Sequence, residues 1–283
     1  MGDEVIKDAK RKDITESIIA LDAKSDEFDA KISQLNIESD RLTNLPLVET
    51  FNPPYKIWKT REPTMSESRQ HLQETGCVSA PNVNVCLKEK IHNALEAANY
   101  IVRDNSDIDG LANHINSTLD KCLLYKNRRN YMPRKTPVPI RDYQNKYPLD
   151  DYTSVDYSIK EHGCILSDGQ FLFHAGLWPY ETIKPLSTTF CPQVALNNVL
   201  HKAKAFNNGR IDIFVLRVVN PKTKVFVFQR TGTRLGHENE VLFASGATLI
   251  IRAKKKIRDD FLVFNASGGQ KKIPVYVLEI DIS

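Results

Sequence analysis

The sequence predicts an α+β protein in which an α-helical N-terminal region precedes a compact core of short strands. Apolar residues recur at helical spacing as far as about residue 123, and runs rich in Val, Ile, Phe and Tyr dominate after Asp150. Between them, the segment from Lys126 to Pro148 carries four prolines and many charges and reads as a long connection. On this basis the 283 residues divide into a helical extension over 1–65, a helical subdomain over 66–149 that packs on the core, and the core itself over 150–283.

The first element is a long helix. Ile14, Ile18, Leu21, Phe28, Ile32, Leu35 and Leu42 fall on alternating steps of four and three, with Ser25 and Ser39 filling the gaps. That places one apolar stripe opposite a charged face. The seam is too short and interrupted to specify a coiled coil. Packing within the chain is the default, and a second chain or a target protein are the other surfaces such a stripe could meet. Asn44 and Pro46 end the helix, and residues 46–84 read as mostly irregular. Leu87, Ile91, Leu95, Ala98 and Val102 then recur at helical spacing. A further helix starts at Ser106 or Asp107, either of which can serve as N-cap, and buries Leu111, Ile115, Leu119 and Leu123.

Strands are predicted at 170–173, 211–219, 224–229, 240–243, 248–252 and 274–282, with Asn220-Pro221 and Gly268-Gly269 as turn signals. One helix, from about Pro192 to Phe206, interrupts them.

Composition excludes several classes. Hydrophobic residues make up 41% and charged residues 26%, as in globular proteins, and no apolar run approaches the ~20 residues that span a bilayer. The charged N-terminus lacks the apolar stretch of a Sec-type signal peptide, and Ile6 stands where myristoylation favours Ser or Thr. Five scattered cysteines read as reduced thiols of a cytosol. His162 and Cys164 have no second pair at ligand spacing, so no metal site is expected. A net charge of +4 is mild and does not by itself imply nucleic acid. Basic residues cluster at Lys126, Arg128, Arg129, Arg134, Lys135 and Arg141, and again at Arg252, Lys254, Lys255, Lys256 and Arg258. Solvated faces are the plain reading; an acidic partner or a cofactor's pyrophosphate is the functional one.

Three short stretches carry more than a generic pattern. Phe171-Leu172-Phe173-His174-Ala175-Gly176 ends a strand in a polar residue and then small ones. Leu186-Ser187-Thr188-Thr189-Phe190 lies just ahead of the helix. Gly236-His237-Glu238-Asn239-Glu240-Val241-Leu242-Phe243 sets two carboxylates about one residue as a strand begins. Taken singly, each fits a structural role: a hydrogen-bonded core histidine, strand-forming or capping hydroxyls, exposed strand glutamates.

Together their order and spacing resemble the mono-ADP-ribosyltransferase superfamily, above all bacterial effector and toxin members. These carry Arg or His before a small residue, then a Ser-Thr-Ser-like strand, then Glu-x-Glu leading into an apolar strand. The runs EVLFASGATLII and IDIFVLRVVNPKTKVFVF look like the strands around the catalytic glutamate of the arginine-acceptor toxins, and the resemblance covers about 130 of the 283 residues.

The resemblance implies a split β-sheet core, NAD as co-substrate, and Glu240 as the carboxylate that stabilises the charged ribose and bonds its 2′-hydroxyl. Glu238, two residues earlier and so on the same strand face, would orient or deprotonate the acceptor. Ser187 would fix the rotamer of Glu240. Backbone groups at Ala175, beside Gly176, would hold the nicotinamide carboxamide. His174 would bond a ribose hydroxyl or the phosphates, and Thr188 and Thr189 complete the cofactor-binding strand. Phe190 or Phe206 could stack on the nicotinamide. Two departures stand out: His174 replaces the usual toxin arginine, as in the diphtheria-toxin and poly-ADP-ribose polymerase class, and Ala175 replaces the usual Gly.

The implied acceptor is a protein side chain, in a host protein reached through a specialised secretion system, with action in the cytosol. Ubiquitin and small GTPases are targets of such effector families. A catalytically inactive binding module of the same fold, and a nucleic-acid partner for the basic clusters, are the alternatives.

Overall fold

The structure is a computed structural model that describes residue 31 and residues 45–103, 108–128, 131–133, 135–177, 182–230 and 235–283. The apolar stripe over 14–42 and the capping candidates Ser106 and Asp107 lie outside the described residues. Contacts divide the chain into Met1–Asn44 and Leu45–Ser283, and the second unit is described below. It contains mixed helices and strands around a sheet, an α+β fold.

The unit opens with two elements where irregular chain was expected. Strand β1 (Tyr55–Arg61) pairs antiparallel with β2 (Val83–Ile91), and helix α1 (Met65–Thr75) lies between them in sequence. Most residues of both strands are exposed, so no in–out alternation marked them. Helix α1 did carry a readable signal, a capping box in which Thr64 and Glu67 bond each other's backbone N–H. Leu87 and Ile91, placed on a helix by their spacing, lie on β2. Helix α2 (Ala94–Arg103) starts only after Asn93, whose side chain accepts from the Glu96 N–H at 2.9 Å.

Helix α3 (Ile108–Lys121) buries Leu111, Ile115 and Leu119 completely, whereas Leu123 begins helix α4 (Leu123–Arg128) and is 70% exposed. The proline-rich connection also holds structure. Helix α5 (Val138–Lys146) starts at Val138-Pro139, where a proline's missing N–H costs nothing, and α6 (Thr153–His162) follows.

Among the described residues, seven further strands form one sheet. They are β3 (Phe171–Ala175), β4 (Leu186–Thr189), β5 (Ile211–Val218), β6 (Val225–Val227), β7 (Glu240–Phe243), β8 (Leu249–Phe264) and β9 (Gln270–Ile282), in the order β6-β7-β4-β3-β5-β9-β8. Only β5 and β9 run parallel. Strand β8 extends well past the predicted 248–252, through the Lys254–Arg258 charges; it is a sheet edge, where exposed charge is the usual composition. The predicted helix over 192–206 breaks into α7 (Pro192–Leu200) and α8 (Lys204–Asn208), because Lys202 and Ala203 adopt left-handed φ of 53° and 58°.

The join between β3 and β4 is the weakest in the sheet. Strand β3 pairs with β5 at five positions but with β4 only at Phe173↔Thr189. The sheet is therefore nearly split into β6-β7-β4 and β3-β5-β9-β8. Its faces are covered separately. Ile140, Tyr143, Val155 and Ile159 from α5 and α6 pack on Phe226, Phe228, Leu242 and Ala244, while α2, α3 and α7 contribute to the larger core with Val241 and Phe243. No helix among the described residues is long and apolar enough to cross a membrane.

Candidate active site

Strand alternation puts Glu240, Leu242 and Ala244 on the face covered by α5 and α6. Glu240 is the first residue of β7 and only 6% exposed. Its Oε1 accepts from Ser187 Oγ at 2.7 Å, and its Oε2 accepts from Gln144 Nε2 at 3.1 Å. Ser187 lies opposite Leu242 on β4 and reaches diagonally to the glutamate. Burial pushes the Glu240 carboxyl up to about 7, against the pull of the Ser187 and Gln144 bonds, and the nearby Glu238 charge adds to the rise. The adjoining Tyr143 hydroxyl is raised as well, chiefly by its own burial and next by the Glu240 charge. A buried carboxyl pushed toward neutrality is a common mark of a reactive site.

Gln144 was missed, because it lies in the stretch read as a connection and nothing in the sequence links it to a residue 96 positions away.

Glu238 is not on the strand. It ends a 3-10 turn over Gly236–Glu238, and Asn239 adopts a left-handed φ of 49°, so alternation begins only at Glu240. The expectation that the two glutamates share a strand face is corrected: the intervening turn, not the pleat, brings their charges together. That turn is held from several sides. Thr189 Oγ1 donates to the Glu238 carbonyl at 2.6 Å. Asn239 Nδ2 donates to Asn116 Oδ1 at 2.8 Å, and Arg230 Nη1 donates to both Asn116 Oδ1 (2.7 Å) and Asn239 Oδ1 (3.3 Å). Arg230 Nε also donates to Asp120 on α3 at 3.0 Å. Asn at a left-handed position was the available signal; Arg230 and Asn116 had none. Partial burial raises the Glu238 carboxyl, with His237 and His201 opposing.

His174 sits at the split. Its Nδ1–H donates to the Ser187 carbonyl at 2.7 Å, bridging β3 and β4 where their backbone pairing has stopped. Burial holds the imidazole below its ordinary value, and the Lys204 charge acts in the same direction. With Nδ1 as donor, the neutral ring presents Nε2 as an acceptor. A Cβ at Gly176 would come within 3.3 Å of that Nε2, so the glycine keeps the approach to it open. Ala175 is half-buried, paired to Ile213 on β5, and its β4-facing edge lies beyond the last β3–β4 register pair.

Thr188, Thr189 and Phe190 are placed beside the site rather than on its surface. Thr188 and Thr189 are buried, the first bonding the Val241 carbonyl and the second the Glu238 turn. Phe190 is 1% exposed and edge-on to Tyr125, which leaves no ring face for stacking. Phe206 on α8 is half-buried, with the Lys271 ammonium 4.4 Å from its ring centre. In the second basic cluster, Arg252, Lys256 and Arg258 pair with Asp281, Asp259 and Asp260. In the first, Arg129 and Arg134 lie outside the described residues.

No family model matches the sequence, and no curated protein matches it. Similar solved structures are ADP-ribosylating toxins. The Vis toxin, an ADP-ribosyltransferase from Vibrio splendidus, is 12% identical with a TM-score of 0.34 over 67% of this chain and 91% of its own. The enzymatic component C2-I of the Clostridium botulinum C2 toxin is 10% identical with a TM-score of 0.34 over 56% of this chain. The toxin BECa of a C. perfringens binary enterotoxin, solved with NADH, is 14% identical with a TM-score of 0.29 over 68% of this chain. The chain spans less than half the length of the last two, 45% of C2-I and 49% of BECa.

Proposed function

We propose that the chain is an NAD-dependent mono-ADP-ribosyltransferase that moves ADP-ribose onto a protein side chain and releases nicotinamide. The observation that carries this reading is the buried Glu240 carboxylate, bonded to Ser187 beside the β3–β4 split that His174 bridges. Breaking the bond between ribose C1′ and the nicotinamide nitrogen sends the electron pair out with nicotinamide and leaves positive charge on the sugar. A fixed carboxylate beneath that charge stabilises it in a water-poor site. Each Glu240 oxygen has two acceptor positions, so Oε2 can keep Gln144 and still accept from the ribose 2′-hydroxyl. His174 Nε2 accepts from a ribose hydroxyl. Backbone groups at the open edge of Ala175 take the carboxamide, and Phe206 is the aromatic that retains a face for the nicotinamide. The nucleophile of the acceptor attacks C1′ and gives its proton to Glu238.

The natural setting we favour is a bacterial effector acting on a host protein, with ubiquitin or a small GTPase as target. Incubating the purified protein with labelled NAD and a cell lysate, then locating the labelled band, tests the assignment. Failure of purified protein to release nicotinamide would leave a binding module of the same fold.

Two expected outcomes follow for the parts outside the carboxylates. His174→Ala should raise the apparent Kd for NAD about three- to tenfold, the scale of one neutral hydrogen bond, because the ring grips substrate and moves no proton. Unchanged affinity with a collapsed rate would overturn that role. Deleting residues 1–44 cuts just before Leu45, which is fully buried. The deletion should spare nicotinamide release and slow transfer to protein, since the stripe over 14–42 serves target choice. Equal loss of both activities would make that segment part of the catalytic fold.

A further inference from the structure

Glu238 has no side-chain anchor of its own. Its carboxylate makes no hydrogen bond among the described residues, and His237 and His201 act on it only through their charges. Where that carboxylate sits is therefore set by the backbone of the Gly236–Glu238 turn. A single 3-10 turn has little rigidity of its own. It is closed by the Glu238 N–H on the Leu235 carbonyl at 3.0 Å and the Asn239 N–H on the Gly236 carbonyl at 3.4 Å. The sheet supports one side of it, through Thr189 Oγ1 on the Glu238 carbonyl. The other support comes from α3.

Asn116 and Asp120 stand one helical turn apart on α3 and so share a face. Leu111, Ile115 and Leu119 of that helix are fully buried, which fixes its position in the packed core. Asn116 Oδ1 accepts from both Asn239 Nδ2 (2.8 Å) and Arg230 Nη1 (2.7 Å). Arg230 Nη1 also donates to Asn239 Oδ1 at 3.3 Å, and Asn239 Nδ2 to the His237 carbonyl at 3.3 Å. Both ends of the Asn239 amide are thus engaged, and Asn239 itself is buried. Behind it, Arg230 Nε and Nη2 form a forked pair with the Asp120 carboxylate, which sets the plane of the guanidinium. Past the bond from the Phe228 N–H to the Glu240 carbonyl at 3.1 Å, Arg230 and Asn239 thus extend the β6–β7 pairing through side chains. Glu240 is held without this clamp. Its strand pairs with β4 and β6, and its carboxylate is bonded to Ser187 and Gln144.

We propose that Asn116 and Arg230 are positioning residues for the acceptor step: through Asn239 they hold the turn that aims Glu238, so that α3 governs transfer without governing cleavage of NAD. This rests on the acceptor role given to Glu238 above. A general base displaced by about 1 Å can cost on the order of 100-fold in the step it serves. Helix α3 precedes the stretch that carries the chemical motifs, so the helical half takes part in the reaction as well as in the fold.

Two variants of the full chain separate positioning from mere structure. Asn116→Ala removes the oxygen that accepts from both Asn239 and Arg230, whereas Asn116→Asp keeps an acceptor oxygen there and should behave like wild type. With labelled NAD and a cell lysate, Asn116→Ala should lose at least ~10-fold in labelled protein, while nicotinamide release by the purified chain stays within about threefold. Amide exchange at Glu238 and Asn239, read by NMR, should quicken about three- to tenfold in Asn116→Ala and not in Asn116→Asp, the scale of one lost hydrogen bond. Arg230→Lys keeps a cation beside Asp120 but loses the fork. It should show the same split, which keeps the proposal falsifiable should Asn116→Ala not fold. Equal loss of transfer and release overturns the proposal, as do wild-type transfer, unchanged exchange, or a failure of Asn116→Asp to restore either. Release of nicotinamide by the wild type without any labelled protein also overturns it. A wild type that releases no nicotinamide sinks the transferase reading instead, and amide exchange then still decides whether α3 holds the turn.

Discussion

Glu240→Gln is expected to lower NAD hydrolysis and protein transfer together, each at least ~100-fold, while making the chain more stable above pH 7. The loss is the scale of removing one electrostatic stabiliser from a developing charge, and it is common to both reactions because both pass through the same charged ribose. The gain comes from the same burial. The Glu240 carboxyl is raised from 4.5 to about 7. Below pH 4.5 it is protonated in folded and unfolded chains alike and costs nothing. As pH rises the unfolded chain ionises first, so stability falls progressively until the folded carboxyl ionises near 7. The shift corresponds to roughly 3 kcal/mol, fully lost above that pH.

Glutamine has no proton to lose. Its amide oxygen keeps the Ser187 bond, and the Gln144 amide can rotate to accept from its nitrogen. Nicotinamide release and thermal midpoint, both followed from pH 5 to pH 9, check this. Wild-type hydrolysis should rise with pH through about 7, and the variant should show little pH response. A variant that hydrolyses NAD at the wild-type rate removes the catalytic assignment. One that melts below wild type at pH 8 removes the account of its burial.

Glu238→Gln should behave differently, losing protein transfer by ~100-fold or more while hydrolysis stays within about threefold. A general base contributes on that scale to the step it serves, and water needs less help than a side chain that must be deprotonated. The turn should survive, because what holds it is backbone and neighbours: the Glu238 carbonyl bonds Thr189, its N–H bonds the Leu235 carbonyl, and Asn239 is gripped by Asn116 and Arg230. Labelled transfer and free nicotinamide measured in one reaction separate the two outcomes. Parallel loss of both activities would mean that the two carboxylates do not divide the work as argued.

What the chain reveals before folding is local. Alternating and β-branched runs mark β5, β7 and β9, since their pleat is written in neighbouring residues. The buried Leu111, Ile115 and Leu119 mark α3 because helical periodicity repeats within two turns. The order His174, Ser187, Glu238, Glu240 names the chemical groups of the candidate site. Exposed β1 and β2 leave no such trace, and Leu87 and Ile91 happen to fall at helical spacing on a strand.

Everything that makes those groups a site is decided by packing. That β3 and β4 meet at one register pair, that Ser187 faces Glu240 across 53 positions, and that Gln144 arrives from α5 are long-range facts with no local pattern. The same holds for the pKa of Glu240 and the tautomer of His174. Both depend on how much water is excluded and on which carbonyl lies 2.7 Å away, quantities that exist only once distant strands are side by side.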